Sequence, residues 1–228
     1  MIPSRRTIRR LMPKTRRGIG YAIAFLVCTL FVWWGWFFRL DVKTTFWLQR
    51  HGRAWLDAVL FGFTLIGGAE PTLAMAAALS VWRWRAGRPR TAVKLWIIFV
   101  LLTLLELALK YGIGQPRPPE IFDRSPWRAP HLIRIPSPYS FPSGHTLRTV
   151  FLFGYLGYLL VHDQRRAWWR SMLQTMLWIG ILLMCISRVY LGDHWASDVI
   201  GGYLLGCVGV WCMQRSEEQA APQVSTAR

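Results

Sequence analysis

The sequence contains few acidic residues and few cysteines. Aspartate and glutamate account for 11 of its 228 residues, against 28 lysines and arginines, and the formal net charge at pH 7 is +17. Hard divalent cations need several oxygen ligands. The four cysteines all lie in apolar segments and lack the spacing of a zinc site. We therefore expect neither a metal nor any other cofactor.

Charge is absent from one long N-terminal segment. Residues 19–38 are twenty uncharged residues, the length that crosses a bilayer. Their bulk and the lack of a small-residue cleavage site argue against a signal peptide. The lack of a polar face at helical spacing argues against a soluble bundle. We predict an all-α, polytopic membrane protein with six transmembrane helices in one bundle, at residues 19–38, 65–82, 95–113, 146–161, 171–186 and 195–213.

The distribution of basic residues predicts the orientation. With six crossings, seventeen of the 28 lysines and arginines fall on one side, in the two tails and in the connections after the second and fourth crossings. By the positive-inside rule that side is the cytoplasm. We therefore predict a plasma (inner) membrane protein with cytoplasmic tails at 1–18 and 214–228 around a transmembrane domain at 19–213. No nucleic-acid module is visible, and the basic surface suits anionic membrane lipids instead.

Two segments are predicted on the opposite, outer side. Residues 41–63 mix charges with aromatic residues and predict an amphipathic helix along the interface, which bends at Gly67–Gly68 into the second crossing. Residues 114–142 form a loop with eight of the thirteen prolines, and a loop of that length inside a compact domain is usually functional or disordered.

Ionisable residues from three separate stretches converge on this outer side. They lie at the outer end of the third crossing, at the start of the fourth, and at the junction of the fifth and sixth. The topology therefore predicts a single extracytoplasmic site. Its members are Lys110, Arg117, Ser143, Gly144, His145, Arg188, His194 and Asp198.

His194 and Asp198 are four residues apart and would be neighbours on a helix. The carboxylate can then accept from one imidazole nitrogen and leave a lone pair on the other. Such an imidazole serves as nucleophile, general base or metal ligand, while a surface pair at a helix start is the structural alternative. Nearby cations and the shortage of ligands argue against a metal.

The other stretches suit an anion. Lys110 and Arg117 are hydrogen-bond donors, and arginine grips phosphate oxygens with its planar fork. Ser143 and Gly144 predict a helix start where free backbone N–H groups attract anions, with His145 in the first turn as a proton donor. Together the residues indicate metal-free phosphoryl transfer, with attack by His194 and stabilisation of the developing charge by the cations. Glu106, one turn before Lys110, is interpreted as its structural partner, and Asp193 as a loop or helix-start residue.

The three stretches resemble the signature of the type-2 phosphatidic-acid phosphatase superfamily, also called lipid phosphate phosphatases. The family pattern is K-x6-RP, PSGH and SR-x5-H-x3-D, and every position matches over residues 110–202. The resemblance implies six transmembrane helices, a phosphohistidine intermediate and no metal requirement. It implies catalytic roles for His194, His145 and Asp198, and phosphate binding by Lys110, Arg117, Ser143, Gly144 and Arg188.

Four activities remain open at this point. The first is hydrolysis of a lipid phosphate or diphosphate, such as undecaprenyl diphosphate or phosphatidylglycerol phosphate. The second is phosphotransfer from one lipid to another acceptor. The third is vanadate chemistry, because vanadium haloperoxidases share the anion cradle, although those enzymes are soluble. The fourth is a non-catalytic lipid carrier, against which the intact His194, His145 and Asp198 argue.

Overall fold

The computed structural model describes residues 14–127, 137–162 and 168–220. Within these ranges the secondary structure is α-helical, with one short 3₁₀ helix at Glu120–Phe122 and no strand, as predicted. The helices are α1 (Lys14–Trp33), α2 (Phe38–Gln49), α3 (Ala54–Ile66), α4 (Ala69–Arg85), α5 (Pro89–Ile113), α6 (Gly144–His162), α7 (Trp168–Tyr190) and α8 (Ala196–Ala220).

Four described helices are long and apolar enough to cross a membrane, namely α1, α5, α7 and α8. Helices α3 and α4 meet at a 47° bend and together qualify as a fifth span. Among the described helices α6 does not meet the same test of length and composition. Its first turn is polar, and most of its side chains are buried against other helices rather than exposed to lipid. The chain is therefore a multi-pass membrane protein, and the count of six crossings stays a prediction.

The predicted amphipathic helix at 41–63 is wrong as a single element. The chain breaks after Gln49 and resumes at Ala54, so the segment is divided between α2 and α3. Arg53 has the extended backbone of a helix N-cap, with φ −139° and ψ 146°. Helix α3 is apolar and forms the first half of the bent span. The bend itself lies at Gly67–Gly68, as predicted.

Part of the predicted loop 114–142 is anchored to the helices. Arg124 donates to both carboxylate oxygens of Asp57, at 3.1 and 3.0 Å, and Tyr190 donates to Asp57 at 2.6 Å. The Gln49 side chain donates to the carbonyl oxygens of Phe122 and Tyr190, at 2.7 and 2.8 Å. Residues 128–136 of the loop, residues 1–13 of the N-terminal tail and residues 221–228 of the C-terminal tail lie outside the described ranges.

Helix α8 packs closely against α6 through glycines. A Cβ atom at Gly202 would meet the backbone oxygen of Ser143, and one at Gly206 would meet Val150 and the backbone oxygen of Leu147. Small residues allow such close approach of two helices inside a membrane. Gly202 and Gly206 are therefore packing residues between the two helices, and the contact places the N-termini of α6 and α8 side by side.

A buried ionic cluster joins the other end of α8 to α4, α6 and the α4–α5 turn. Glu217 accepts from Arg83 at 2.6 Å and from Arg88 at 2.7 Å through one oxygen, and from Tyr155 at 2.5 Å through the other. Helix α8 therefore continues to Ala220, past the predicted end of the transmembrane domain at residue 213.

Candidate active site

The start of α8 holds the predicted imidazole–carboxylate pair. His194 Nδ1 lies 3.3 Å from Asp198 Oδ2. The same oxygen accepts from the backbone N–H of Trp195 at 2.8 Å, as the third residue of a helix does when it reaches back to the N-cap. The other oxygen accepts from the Ser140 hydroxyl at 3.2 Å. Asp198 is thus held on both oxygens, and it can accept the Nδ1 proton and leave Nε2 as a lone pair.

His194 is buried, with 2% of its surface exposed. Burial lowers its pKa well below the ordinary value, and the positive charges of Arg188, Lys110, Arg117 and His145 lower it further. The imidazole is therefore neutral at pH 7. A neutral ring in a cationic surrounding is suited to attack an anionic phosphorus centre, since the cations that keep it unprotonated also attract the substrate.

The start of α6 supplies the predicted anion-binding turn. Ser143 precedes the helix, donates its backbone N–H to the carbonyl of Asp198 at 3.0 Å, and accepts from the Thr146 hydroxyl at 3.1 Å. The first amides of an α-helix have no intrahelical acceptor, and the helix dipole favours an anion there. A Cβ at Gly144 would meet the carboxylate of Glu106, so glycine is needed for α5 to approach this turn.

Two cations come from the end of α5 and the loop after it. Lys110 is buried in the last turn of α5, and its Nζ lies 3.5 Å from Glu106 and 3.4 Å from the carbonyl of Ser140. Helix α5 ends directly afterwards, at Gly114 with φ 70°. Arg117 is exposed and donates to the carbonyl of Ser137 at 3.0 Å. The predicted Glu106–Lys110 pair is confirmed.

Arg188, in the last turn of α7, is the most enclosed cation of the site. Its Nη1 lies 2.9 Å from Asp193 Oδ2 and 3.4 Å from the Thr64 hydroxyl. Its Nε is buried and has no hydrogen-bond partner among the described residues. The sequence analysis interpreted Asp193 only as a loop or helix-start residue. Its carboxylate in fact pairs with Arg188, which was predicted to bind phosphate.

The structure brings the predicted site residues into one region. The charges of Arg188, Lys110, Arg117 and His145 all lower the pKa of His194. The backbone N–H of Ser143, the neighbour of Gly144, donates to the carbonyl of Asp198. Sequence reasoning missed three contributors. Arg148, on α6, forms an ion pair with Glu106 at 2.8 Å, and its charge inside an apolar segment was the available signal. Thr64 reaches Arg188 from α3. Asp41 reaches α8 from the N-terminal third.

Asp41 is a buried carboxylate on α2. Its Oδ1 accepts from the backbone N–H of Ser197 at 2.8 Å, and its Oδ2 accepts from the Ser197 hydroxyl at 2.6 Å. Burial raises the pKa of Asp41, and the bonds from Ser197 act in the opposite direction. Ser197 lies directly before Asp198, so Asp41 fixes the turn that carries the His194–Asp198 pair.

Within the described residues, no group of three or more His, Cys, Asp or Glu side chains is arranged to hold a metal ion. The side chains gathered here are two imidazoles, His145 and His194, and the donors of Lys110, Arg117 and Arg188.

Fold and site together define a membrane protein with a histidine centre built for an oxyanion. The sequence model of the PAP2 superfamily matches residues 91–220, and the chain belongs to this family of phosphatases. It is 28% identical over 166 residues to phosphatidylglycerophosphatase B of Bacillus subtilis, which covers 72% of this chain and 77% of the relative. It is 34% identical over 117 residues to an undecaprenyl-diphosphatase of Sulfolobus acidocaldarius, about half of each chain (51% and 50%).

A solved structure shares the fold. The crystal structure of a transmembrane PAP2-type phosphatidylglycerolphosphate phosphatase from Bacillus subtilis superposes with a TM-score of 0.74. The match covers 90% of this chain and 97% of the other at 23% sequence identity. Because the match covers 90% of this chain, it extends beyond residues 91–220 into the N-terminal helices, which share the fold of that structure.

Proposed function

We propose that this protein hydrolyses a phosphomonoester or diphosphate on a membrane lipid at the extracytoplasmic face, through a phosphohistidine on His194 and without a metal. The observation that carries the proposal is a buried, neutral imidazole held by Asp198 and surrounded by Lys110, Arg117 and Arg188. The curated relatives are named for phosphorylated lipids, which supports a lipid as the substrate.

In the first step the phosphate oxygens accept from Lys110, Arg117, Arg188 and the first amides of α6. His194 Nε2 attacks phosphorus in line, the N–P bond forms and the bond to the leaving oxygen breaks. His145 gives its proton to that oxygen. Asp198 stabilises the positive charge that develops on the His194 ring, and the cations neutralise charge that spreads over the phosphoryl oxygens.

In the second step His145, now neutral, takes a proton from water. The water oxygen attacks phosphorus, the N–P bond breaks, and inorganic phosphate leaves with His194 restored to its neutral form. A second lipid could replace water in this step, which would make the protein a lipid-to-lipid phosphotransferase. The two reactions share the same phosphoenzyme and differ only in the acceptor.

The phosphoenzyme gives the decisive test. An aryl phosphate with a good leaving group needs no proton from His145, so His145→Ala should form the phosphoenzyme readily but hydrolyse it slowly. Rapid-quench experiments with labelled p-nitrophenyl phosphate should therefore show more acid-labile, alkali-stable label on His145→Ala than on wild type, and none on His194→Ala. Equal label on His194→Ala would assign the nucleophile elsewhere. Loss of turnover in excess EDTA, restored specifically by Mg²⁺, would contradict the metal-free step.

The orientation has its own test. If six spans place both tails in the cytoplasm, a cysteine at Ser125 in the outer loop is labelled by an impermeant maleimide in intact cells. A cysteine at Ala86, in the turn after α4, is protected. Both positions tolerate a small side chain, since Ala86 is exposed and Ser125 is half-exposed. The reverse labelling pattern would place the site on the cytoplasmic side.

A further inference from the structure

An apolar cavity of about 220 Å³ lies between α3, α6 and α7. Its walls include Phe63 and Ile66 of α3, Phe153 of α6, and Met176, Gly180 and Met184 of α7. The 47° bend between α3 and α4 explains why the space exists. Helix α3 packs against α7, whereas α4 turns away to pack against α5 and α6, and a gap remains beneath the bend. We call this space the bend cavity.

The bend cavity borders the phosphate site along two helices. Thr149, in its wall, is one helical turn after His145 on α6, and Met184 is one turn before Arg188 on α7. Residues four apart lie on the same face of a helix, about 6 Å apart along the axis. A Cβ at Gly67, at the bend, would meet both Met184 and Thr149. The cavity therefore begins where the site ends and runs toward the middle of the spans.

The bend cavity also opens sideways. Ile66 and Met176, on its rim, are 44% and 58% exposed, and exposed apolar side chains on membrane spans face lipid tails. A chain already in the bilayer can enter between α3 and α7 without crossing a polar surface.

A second cavity, of about 440 Å³, lies on the other side of the site. It is bordered by Val32, Phe37, Phe38, Ile113 and the carboxylate of Asp41, around the ends of α1, α2 and α5. A chain in that space would lie against a buried acid at the level of the helix ends. The bend cavity offers hydrocarbon walls at the depth where a lipid tail belongs.

We propose that the bend cavity holds the first segment of the hydrocarbon tail of the lipid whose phosphate occupies the site. This inference rests on the proposed lipid substrate. The cavity is smaller than the roughly 300–1,000 Å³ of a small-molecule pocket, so it admits part of one chain while the remainder stays in the bilayer. The bend cavity thereby favours substrates whose alkyl chain next to the phosphate fills it, and it aligns the P–O bond with His194.

Chain-length dependence tests the proposal. The substrates are monoalkyl phosphates from methyl to octyl, and the full-length protein is assayed in one detergent so that partition of the substrate is the same for every variant. In wild type, kcat/KM should rise with each added methylene, by up to about fourfold, until the cavity is full. A Cβ at Gly180 would come within 2.9 Å of the Phe153 ring, so Gly180→Leu displaces that ring and fills the cavity with four added carbons. It should keep its activity on methyl phosphate within twofold and lose at least tenfold on octyl phosphate.

Gly62→Leu is the matched control. It adds the same side chain to α3, where a Cβ meets nothing within 4 Å, and it should follow wild type at every chain length. Phe153→Ala enlarges the cavity instead of filling it, and it should move the end of the rise to a longer chain. This variant keeps the test decisive if Gly180→Leu fails to fold.

Three results would overturn the inference. In the first, wild type and all variants have parallel chain-length profiles. In the second, Ile113→Phe, in the second cavity, abolishes the dependence on chain length while Gly180→Leu retains it. In the third, wild type is active on every substrate without preference for longer chains. If wild type hydrolysed no phosphate ester at all, the proposed function would fail instead, and the two failures are thereby distinguished.

Discussion

Ionisable side chains cluster at both ends of the bundle, and the two clusters are built differently. At the far end of α8, three donors converge on a single buried carboxylate, Glu217, at 2.5–2.7 Å. At the near end, Lys110 and Arg188 are held by partners at 2.9–3.5 Å. One of those partners, Asp193, keeps 31% of its side chain exposed. Arg88 in the Glu217 cluster is 35% exposed, so the two clusters differ in the length of their contacts rather than in exposure, and the His194 cluster is the more loosely paired.

A buried arginine nitrogen without a hydrogen bond occurs in both the Glu217 cluster and the His194 cluster, so it does not distinguish them. Both Arg83 and Arg188 have a buried Nε without a hydrogen bond among the described residues. What differs is the neighbour. Both arginines pair with a carboxylate, Glu217 or Asp193, but Arg188 also acts on a neutral histidine, His194. We therefore interpret the Glu217 cluster as structural and the His194 cluster, which surrounds a neutral imidazole, as the proposed reaction site with His194 as its proposed nucleophile.

The largest effect should come from removing that nucleophile. His194→Ala should reduce turnover of every phosphate ester by at least about 10⁵-fold, because the variant lacks the nitrogen that is proposed to attack phosphorus. The unfolding temperature in detergent should change by only a few degrees. A residual rate within 100-fold of wild type on an aryl phosphate would show that another group, or water itself, attacks phosphorus.

Glu217→Gln should have the opposite effects, a large loss of stability and little change in activity. It leaves Arg83 and Arg88 without their counter-charge, and breaking a buried ion pair costs about 3–5 kcal/mol, so we expect an unfolding temperature lower by about 10 °C. Protein that remains folded at 20 °C should keep its kcat. Glu120→Gln makes the same change at an exposed position of the loop after α5, and as the control it should leave the unfolding temperature unchanged. A large fall in kcat with unchanged stability would link the two ends of the bundle functionally.

Arg188→Gln should alter both rate and pH dependence. Loss of one donor to the developing oxyanion costs about 10²–10³-fold in kcat/KM. Arg188 also lowers the pKa of His194, so its removal raises that pKa and His194 becomes protonated at a higher pH. The acid limb of the kcat/KM profile should move upward by as much as one pH unit. The substrate titrates identically with both proteins, so the difference between the profiles reports His194. An unshifted limb would mean that Arg188 does not act on the nucleophile.

Asp41→Ala should have a smaller effect. Loss of the two bonds to Ser197 loosens the turn that carries Asp198, and we expect kcat to fall by about tenfold with little change in KM. Asp41→Asn retains an acceptor for the Ser197 N–H and should recover most of the rate. If both variants lose activity only in proportion to the folded fraction, Asp41 is a structural residue without a positioning role.

Asp41 also marks the limit of what the sequence could predict. The contact between His194 and Asp198 was predicted from helical spacing, but His194 lies in the turn before α8, and Asp198 reaches it because the third residue of a helix points back toward the N-cap. The Ser143–Gly144 turn follows from helix-capping chemistry, so local rules found both places. Asp41 and Ser197 are 156 residues apart, and no periodicity or motif connects them. The number of crossings also depends on tertiary packing. Helix α6 is shielded by its neighbours, so its sequence is less apolar than that of a lipid-facing helix and is harder to identify as a crossing. The division of 41–63 into two helices depends on packing of α3 against α7.

The smallest effect should come from Asp193, the most exposed partner in the His194 cluster. Its carboxylate lies 2.9 Å from Arg188, where a phosphate oxygen is proposed to bind, so substrate must displace it. An ion pair of this exposure contributes about 0.2–1 kcal/mol. Asp193→Asn should therefore lower KM by about two- to fivefold at low salt and leave kcat unchanged. The gain should shrink in 0.5 M NaCl, because salt screens the competing charge. Asp123→Asn makes the same charge change elsewhere on the outer loop and should have no effect on KM. A higher KM in Asp193→Asn would show that this carboxylate positions Arg188 for the phosphate rather than competing with it.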